Sequence, residues 1–397
     1  MKKNKINPTV WIFSEIFFPD ETSTGYLFTE LALGLSDTYD VKVVTETDLH
    51  SFGVNSGEKR ILSHIEIIRL KNLKLNKNKV LQRIVKFAFL SIQFTISFLV
   101  KVKRGDKVIL VTNPAPALVG ISLMNRLVKA KMVLVVHDVF PENTIAAGLM
   151  KPNVGYRFIK KIFDFAYSRF DRIVVLGRDM REIVTQKSRR PERITIIENW
   201  ADLESLEIEP NSDYNSFGKD LVSILFAGNL GRLQCLPEMV KIIGRYPHLV
   251  CLTIVGTGAV EGELKQIVQE NQFQNINFLG PFPRESQNRF LNSFDICLVS
   301  LNERMYGLGV PSKTYNILAV GKPILYFGPP NSEIDHLVKE QALGWTSNSL
   351  VEFEDVLHKI SKSEIDGIDP HRIREVARKN FSKGHFIRKF KDVLDII

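Results

Sequence analysis

The sequence predicts an α/β protein of two domains, each built on a parallel, doubly wound sheet. Short apolar runs alternate with helix-like segments, which is the pattern of strands buried on both faces. One polar, acidic and aperiodic stretch from 201 to 220 interrupts the pattern, which then starts again. The length of 397 residues is too great for one ordinary core and suits two.

The first half begins with an apolar run that predicts a strand at 10–13, followed by a helix over 26–35. A hairpin-like segment is predicted at 61–70 and an amphipathic helix at 84–100. The other predicted strands are 41–45, 108–112, 132–136, 172–176 and 194–198, with helices from 117, over 156–169 and over 178–186.

The second half repeats the alternation of strand, loop and helix. Its predicted strands are 222–226, 250–255, 277–279, 296–300 and 324–327. We predict two Rossmann-like domains, at 1–200 and 221–375, joined by a linker at 201–220 and facing each other across a cleft. Ligands of open parallel sheets bind at the carboxyl ends of the strands, so we expect the chemistry in this cleft.

The three cysteines, Cys235, Cys251 and Cys297, lie in apolar surroundings and have no metal-binding or redox spacing. They predict core packing in a reducing compartment. The basic N-terminus leads into the first strand without an apolar segment and cleavage site, so no signal peptide is predicted. We therefore expect a cytoplasmic protein.

The positive charge is concentrated in one segment. The formal net charge is +9, and no acidic residue occurs between Glu66 and Asp106. An anionic membrane or a nucleic acid could attract such a segment. The stretch before Arg83 lacks interleaved aromatic residues, so nucleic acid is not the predicted partner. The ten basic residues are Arg69, Lys71, Lys74, Lys77, Lys79, Arg83, Lys86, Lys101, Lys103 and Arg104.

Within this segment, residues 84–100 form an apolar run whose polar members fall on one helical stripe. A membrane span needs about 20 residues and tolerates a central lysine poorly, so an amphipathic helix in the membrane interface is the better fit. The alternative is a helix that packs its apolar face on the sheet. The residues predicted to bind the membrane are Arg83, Lys86, Phe87, Phe94, Phe98 and Lys101.

Ser312 and Lys313 occupy a predicted loop that runs into a short apolar helix, which Gly321 and Pro323 end. Unpaired backbone N–H groups and the positive end of the helix dipole favour phosphate at such a place. Lys313 adds a positive charge. This loop is therefore a candidate phosphate site, with a solvated surface charge as the alternative for Lys313.

Two glycine-containing loops follow the first two strands of the second half, with Gly228, Asn229, Gly231 and Arg232 in one and Gly256 in the other. Neither loop completes the dinucleotide fingerprint, which argues against a nicotinamide or flavin cofactor. We predict that Arg232 and Lys313 neutralise a diphosphate. No Asp-x-Asp pair stands in a position for a magnesium site, so no metal is predicted.

His137 and Asp138 end a continuous apolar strand in the first half, and Glu142 follows shortly after. Titratable groups at this end of a strand point into the ligand crevice. His137 is a candidate for orienting a sugar hydroxyl, and Asp138 or Glu142 for handling a proton. The alternative for Asp138 is a helix cap. Gly25 lets either a ligand or the other domain approach the first loop, or it forms an ordinary tight turn.

With these residues in place, the chain resembles the GT-B glycosyltransferases of family 4, over nearly its whole length. It is most similar to the bacterial subgroup that assembles O-antigen, capsule and exopolysaccharide, which includes N-acetyl-fucosamine transferases. The motifs that carry the resemblance are FFP (17–19) with Gly25, NPAP (113–116), HDVFPE (137–142), IENWAD (197–202), GNLG (228–231), PSKTY (311–315) and GKP (321–323).

The resemblance implies metal-free transfer with retention of configuration, from a nucleotide-sugar donor held by the second domain to an acceptor held by the first. It also implies that residues 376–397 form a helix that crosses back to the first domain. The wider family carries two glutamates in the donor loop where this chain has Leu308 and Asn316. Asn316 can hydrogen-bond the ribose hydroxyls, but without a charge.

These observations predict a glycosyltransferase on the inner face of the plasma membrane that takes a UDP-sugar and a polyprenyl-diphosphate-linked saccharide. Two alternatives remain. One is a non-hydrolysing UDP-sugar epimerase, which shares the architecture. The other is a non-catalytic partner in a glycan-assembly complex, which is suggested by the absence of the family's glutamate at Asn316.

Overall fold

A computed structural model describes residues 8–20, 22–47, 64–71, 73, 80–210, 214, 217 and 220–397. The chain divides into two compact units. Unit 1 contains Met1–Glu198 and Ile387–Ile397, and unit 2 contains Asn199–Phe386.

Unit 1 contains a seven-stranded sheet in the order β3-β2-β1-β4-β5-β6-β7, and every strand pair in it is parallel. The strands are β1 (Thr9–Phe13), β2 (Asp40–Glu46), β3 (Glu66–Leu70), β4 (Lys107–Val111), β5 (Lys131–Val136), β6 (Arg172–Val175) and β7 (Ile194–Ile196). The helices are α1 (Ser23–Ser36), α2 (Val80–Lys101), α3 (Pro116–Val128), α4 (Glu142–Ala146), α5 (Val154–Tyr167) and α6 (Arg178–Ser188).

The described part of the segment predicted as a hairpin at 61–70 does not form a hairpin. Residues 61–63 lie outside the described residues, and β3 pairs in parallel with β2, with Ile67 opposite Val43. Glu66–Leu70 is a strand, as one arm of a hairpin would be, but it is paired with β2 and runs parallel to it. A short apolar segment does not specify the direction of its partner strand.

Unit 2 contains a six-stranded sheet in the order β10-β9-β8-β11-β12-β13, again with all pairs parallel. The strands are β8 (Val222–Ala227), β9 (Val250–Val255), β10 (Ile276–Leu279), β11 (Ile296–Ser300), β12 (Ile324–Phe327) and β13 (Gly344–Ser347). The helices are α7 (Leu236–Gly244), α8 (Glu261–Glu270), α9 (Gln287–Asn292), α10 (Lys313–Ala319), α11 (Glu333–Glu340), α12 (Leu350–Lys359), α13 (Lys362–Asp366) and α14 (Pro370–Asn380). The last helix, α15 (Lys383–Asp395), begins in unit 2 and ends in unit 1.

The cores of both units cover both faces of their sheets. In β8, Ile224 and Phe226 belong to one apolar cluster and Leu225 to another, because successive side chains of a strand point to opposite faces. This explains why the strands appear in the sequence as continuous apolar runs.

The strand order places one switch point in each sheet. In unit 1 the chain runs outward from β1 to β3 and returns to β4 beside β1, and in unit 2 it runs from β8 to β10 and returns to β11 beside β8. The loops after the two strands at a switch point diverge and leave a crevice where α/β proteins bind ligands. The loops after β1 and β4, and those after β8 and β11, therefore mark the two candidate half-sites.

Helix α2 packs on the sheet of unit 1, which corrects part of the predicted membrane site. Phe94 and Phe98 are fully buried, and their rings make edge-to-face contacts with the ring of Phe13 on β1. The Lys86 ammonium is also buried, 2.8 Å from a Glu46 carboxylate oxygen and 3.9 Å from one of Glu15. None of these three predicted residues can reach a lipid.

The other three residues of the predicted membrane site differ in exposure. Phe87 is half-buried and Lys101 is exposed, whereas the side chain of Arg83 lies outside the described residues. By length and composition, one helix in the described part of the chain, Ile84–Lys101, could cross a membrane, and 33% of it is buried. Its contacts with β1 and the buried ion pair of Lys86 are those of a helix in the protein core.

Phe94→Ala should destabilise unit 1 by about 3–5 kcal/mol, because it removes a fully buried ring and leaves a cavity between α2 and the sheet. Hydrogen exchange of peptides from unit 1, followed by mass spectrometry, measures the loss. Ile96→Ala on the same helix is the matched control, since Ile96 is 55% exposed and its truncation should change the stability by about 0.5 kcal/mol or less. Equal effects of both changes would contradict the buried position of Phe94.

Candidate functional site

The half-site of unit 2 is built from two glycine loops that lie against each other. The Gly228 N–H donates to the Val255 carbonyl, and the Leu230 N–H donates to the Thr257 carbonyl. Gly256 has φ +124°, and a Cβ there would lie 2.0 Å from the Gly228 carbonyl oxygen. Only glycine fits this contact, so the loops after β8 and β9 form one surface at the carboxyl end of the sheet.

Lys313, the first residue of α10, reaches this surface from the loop that follows β11. Its Nζ atom lies 3.4 Å from the centroid of the Phe226 ring on β8. A Cβ on Gly228 would lie 3.9 Å from the Lys313 Cδ atom. The structure thus brings Lys313 and Gly228 together on the two sides of the switch point.

The electrostatic state of Lys313 is unusual. Burial lowers its pKa to about 7, and no carboxylate among the described residues forms an ion pair with it. A buried ammonium normally has a carboxylate partner. The interaction with the Phe226 ring is a weak substitute. An anion bound at this place would supply the missing charge.

The remaining residues predicted to hold a donor lie around this point with different degrees of exposure. Asn229 and Arg232 are exposed, while Gly231 and Ser312 are half-buried. A Cβ on Gly231 would lie 2.7 Å from the Gln234 Oε1 atom and 2.9 Å from the Asn229 Nδ2 atom, so the two amide side chains meet at this glycine. The exposed guanidinium of Arg232 is available to an anion from solution.

Gln234 is a candidate that the sequence analysis did not include. Its Oε1 atom is buried and has no hydrogen-bond partner among the described residues. A buried amide oxygen without a donor costs free energy, which a ligand N–H or O–H group would recover. The sequence shows that Gln234 lies close to a glycine loop, but it does not show that the side-chain oxygen is buried.

Asn316 is engaged elsewhere within unit 2. Its Oδ1 atom accepts a hydrogen bond from the Asp202 N–H at 3.1 Å, and its Nδ2 atom donates to the Gln287 Oε1 atom at 3.4 Å. These contacts attach α10 to the start of unit 2, where Asp202 is itself paired with Arg284 at 2.9 Å. They count against the predicted contact of Asn316 with ribose hydroxyls.

The half-site of unit 1 gathers residues from the ends of β4 and β5. The N–H groups of His137 and Asp138 donate to the Thr112 Oγ1 atom at 3.1 and 3.3 Å. The Asp138 carboxylate accepts a hydrogen bond from the Asn113 Nδ2 atom at 3.3 Å. Thr112 thus fixes the turn that presents both predicted side chains at the carboxyl edge of the sheet.

The imidazole of His137 is neutral at physiological pH. Burial lowers its pKa to about 4, and its ring lies 5.5 Å from the Phe28 ring of α1. A neutral imidazole both donates and accepts one hydrogen bond, which suits a sugar hydroxyl and does not add charge. This agrees with the orienting role expected for His137.

Gly25 has a structural explanation within unit 1. A Cβ there would lie 2.4 Å from the Asp20 carbonyl oxygen, so the preceding loop packs directly on the first turn of α1. The Gly25 carbonyl accepts a hydrogen bond from the Thr29 hydroxyl, which in turn accepts one from the Phe18 N–H. Close packing alone accounts for the glycine.

Glu142 belongs to an ion-pair network and not to an open site. Both of its carboxylate oxygens lie 2.8 Å from the Lys187 Nζ atom, and Lys160 approaches to 3.2 Å. Asp164 completes the network, 2.7 Å from Lys187 and 2.6 Å from Lys160. Both oxygens of the Glu142 carboxylate are hydrogen-bonded to Lys187, so we assign Glu142 a positioning role beside the His137–Asp138 turn.

A second buried ion cluster joins α2 to the ends of β1 and β2. It consists of Lys86 of α2 with Glu46 and Glu15, and the Thr45 hydroxyl donates to the Glu15 carbonyl. Lys86 was predicted to bind the membrane, and this ion cluster holds it against the strands instead. Within the described residues, no group of three or more His, Cys, Asp or Glu side chains has a metal-binding arrangement.

Two parallel α/β sheets in one chain, each with candidate ligand-binding side chains at its switch point, are the architecture of the GT-B class of nucleotide-sugar enzymes. Comparisons with known structures agree. The chain has a TM-score of 0.72 with HepE of Anabaena, solved in complex with UDP and glucose, at 13% identity, covering 98% of this chain and 100% of HepE. It has a TM-score of 0.75 with a sucrose-phosphate synthase of Thermosynechococcus elongatus, at 13% identity and 98% coverage of both chains.

Sequence comparisons define the family. Residues 25–205 match the family described as Glycosyltransferase Family 4. A probable glycosyltransferase of Pseudomonas aeruginosa, WbjE, is 30% identical over 394 residues, with 96% of each chain covered. WcaI of Escherichia coli (strain K12), a candidate colanic acid biosynthesis glycosyl transferase by its name, is 24% identical over 55% of this chain and 56% of its own. The chain belongs to glycosyltransferase family 4, which favours a transferase over an epimerase or a non-catalytic partner.

Proposed function

We propose that this glycosyltransferase transfers a sugar, with retention of anomeric configuration, from a UDP-sugar to a polyprenyl-diphosphate-linked saccharide in the assembly of a bacterial surface polysaccharide. The names of two relatives, WbjE and WcaI, support the transfer and the polysaccharide. HepE, a protein of the same fold, was solved with UDP and glucose, which supports the donor. The subgroup that the sequence resembles includes N-acetyl-fucosamine transferases, which supports an N-acetylated sugar as the donor.

The observation that carries the proposal is the Lys313 ammonium, which lies beside two glycine loops and has a pKa lowered to about 7 by desolvation. A diphosphate placed against the Gly228 loop would lie beside the Lys313 side chain and would give Lys313 its missing counter-charge. Arg232, exposed in the same loop, adds a second positive charge. This arrangement neutralises a diphosphate with protein cations alone.

The proposed reaction requires stabilisation of a leaving group. The bond between the anomeric carbon and the diphosphate oxygen breaks, and the acceptor hydroxyl oxygen bonds to the same carbon from the same face. The hydroxyl proton passes to the departing diphosphate. Negative charge therefore grows on the diphosphate as the bond breaks, and Lys313 and Arg232 are placed to stabilise it.

The residues of unit 1 have a different task in this proposal. Neutral His137 and the Asp138 carboxylate hydrogen-bond sugar hydroxyls and so orient them. Glu142 holds their turn in place through Lys187. Because a polyprenyl-linked acceptor is embedded in lipid, we also propose that the protein works in the cytoplasm, on the inner face of the plasma membrane.

The purified full-length protein should bind UDP saturably with and without Mg²⁺, and GDP more weakly. Calorimetry measures both. Incubation with UDP-N-acetyl sugars and a polyprenyl-diphosphate-linked acceptor should then give a product whose new linkage keeps the donor's anomeric configuration, read by NMR. Failure to bind any nucleotide, or an inverted linkage, would overturn the proposal. Conversion of the UDP-sugar without an acceptor would indicate an epimerase.

A further inference from the structure

We propose that the exposed surface formed by α2, α3 and α5 of unit 1 docks on an anionic lipid surface. This surface shares Lys101 with the membrane site predicted from the sequence, but it does not include Lys86, Phe94 and Phe98, which are buried. Its purpose rests on the lipid-linked acceptor proposed above. Its structural basis is independent of that acceptor.

The three helices lie side by side in one layer. Helix α2 packs along α3, and α3 contacts α5. At the first crossing, a Cβ on Gly120 would lie 2.4 Å from the Thr95 Oγ1 atom, so the two helices approach closely. At the second, the Arg126 guanidinium of α3 lies over the Phe165 ring of α5 at 5.7 Å. The outer faces of the helices therefore form one continuous surface.

This surface carries large apolar side chains that are exposed to solvent. Val100, Leu127 and Val154 are each at least 74% exposed, and Phe158 is 66% exposed. On α2 the exposed apolar positions recur with helical spacing, so they form a stripe opposite the buried phenylalanines. The exposed apolar side chains are Ile84, Val85, Ile92, Ile96, Leu99 and Val100 on α2, Leu123 and Leu127 on α3, and Val154, Phe158 and Phe165 on α5.

Most of the charges on this surface are positive. The three helices contain a single acidic residue, Asp164, whose carboxylate is already paired with Lys160 and Lys187. Exposed basic residues accompany each helix: Lys101, Lys103 and Arg104 at the end of α2, Arg126 and Lys129 at the end of α3, and Arg157, Lys161 and Arg169 on and after α5.

An anionic membrane matches both features at once. Apolar side chains enter the boundary between headgroups and acyl chains, while the lysine and arginine side chains reach the anionic headgroups. A second copy of the chain fits less well, because a two-fold interface would bring two cationic surfaces together. Charge complementarity therefore favours lipid over self-association.

Two triple variants test the surface without touching the core. Ile92→Gln/Ile96→Gln/Val100→Gln removes exposed apolar groups, and Lys101→Gln/Lys103→Gln/Arg104→Gln removes exposed charges. The control Val351→Gln/Lys359→Gln makes the same types of change on α12 of unit 2, at positions that are also exposed. Co-sedimentation of the full-length protein is measured with vesicles of phosphatidylcholine alone and of phosphatidylcholine mixed with phosphatidylglycerol.

The wild type and the control should bind the mixed vesicles more tightly than the neutral ones, and added salt should weaken that binding. The charge variant should lose affinity for mixed vesicles on the order of a hundredfold, since each basic residue near an anionic surface contributes roughly a factor of five. The apolar variant should lose about tenfold or more.

Equal vesicle binding by all four proteins, or none by the wild type, would overturn the inference. So would a dimer in sedimentation velocity that the apolar variant dissociates while vesicles stay unbound, because the surface would then be a subunit interface. UDP binding is measured on the same variants and should not change. A loss of vesicle binding with intact UDP binding concerns this surface alone, whereas failed UDP binding concerns the proposed function.

Discussion

Lys187→Met should be among the most destabilising single changes in unit 1, at about 3–5 kcal/mol. The Lys187 ammonium is almost completely buried and lies within 2.8 Å of both Glu142 oxygens and of Asp164. Methionine matches the side chain's shape but not its charge. The change would leave two partly buried carboxylates with the half-exposed Lys160 as their only ammonium partner in the described network.

A matched control separates burial from charge. Lys160→Met removes one positive charge from the same two carboxylates, but Lys160 is 37% exposed, so its loss should cost about 1 kcal/mol or less. The double variant Lys187→Met/Glu142→Gln should recover part of the lost stability, because it removes one of the uncompensated charges. Hydrogen exchange of unit 1 peptides measures all three. Equal costs for both lysines would contradict this explanation.

The same network explains why Glu142 follows the His137–Asp138 turn so closely. Glu142 is the first residue of α4, and its carboxylate accepts a hydrogen bond from the ammonium of Lys187 on α6. Loosening this anchor should therefore disturb the geometry of His137 and Asp138 without touching the donor loops of unit 2.

Several features of the fold could be read from the sequence because they depend on local pattern. The continuous apolar runs at 132–136 and 250–255 became β5 and β9, since parallel strands are buried on both faces. The parallel pairing of β3 with β2 could not be read, because pairing direction depends on partners distant in the chain.

Helix α2 shows where the sequence pattern stops being informative. Its apolar and polar positions are visible in the sequence, and the two interpretations are a membrane helix and a core helix. Phe94 and Phe98 pack on β1, as in a core helix, while Ile92 and Ile96 are exposed, and contact with a membrane stays a prediction. Which apolar stripe is covered depends on where the sheet lies, and the position of Lys86 near Glu46 could not be known without it.

The candidate site also combines features that local sequence predicts with features that depend on distant partners. Lys313 beside Gly228 was predictable, because loops after neighbouring strands of a parallel sheet meet at one edge. The roles of Glu142, Asn316 and Gln234 were not predictable, because each is decided by a partner or by the lack of one. Glu142 is hydrogen-bonded to Lys187, Asn316 accepts a hydrogen bond from the Asp202 N–H, and the buried Gln234 side-chain oxygen has no partner among the described residues.

Lys313→Ala should weaken UDP-sugar binding by about a hundredfold or more, because a charged hydrogen bond in a desolvated site is lost. Calorimetry measures the change. Lys339→Ala is the control, since Lys339 is a half-exposed lysine of unit 2 that is paired with Asp335. It should bind like the wild type, and equal losses in both variants would indicate a general effect of net charge.

The pH dependence of binding identifies Lys313 more specifically. Burial lowers its pKa to about 7, so near pH 7 about half of the unliganded molecules carry a neutral amine. A diphosphate favours the ammonium, so binding should take up protons, increasingly between pH 7 and 9. The affinity should accordingly be constant below pH 7 and fall by up to about tenfold per pH unit above it. A UDP-sugar is the right probe, because it lacks the phosphate monoester that titrates near pH 6.

His137 cannot produce this profile, because its pKa of about 4 keeps it neutral throughout the range. Calorimetry in buffers of different ionisation enthalpy measures the proton uptake directly, and Lys313→Ala should abolish it. Without ligand the sign reverses: the unfolded lysine titrates near 10.5, so the unfolded chain binds more protons above pH 7 and the free energy of unfolding of unit 2 should rise toward pH 10. A flat binding profile from pH 6 to 9, together with increasing stability, would place the diphosphate away from Lys313.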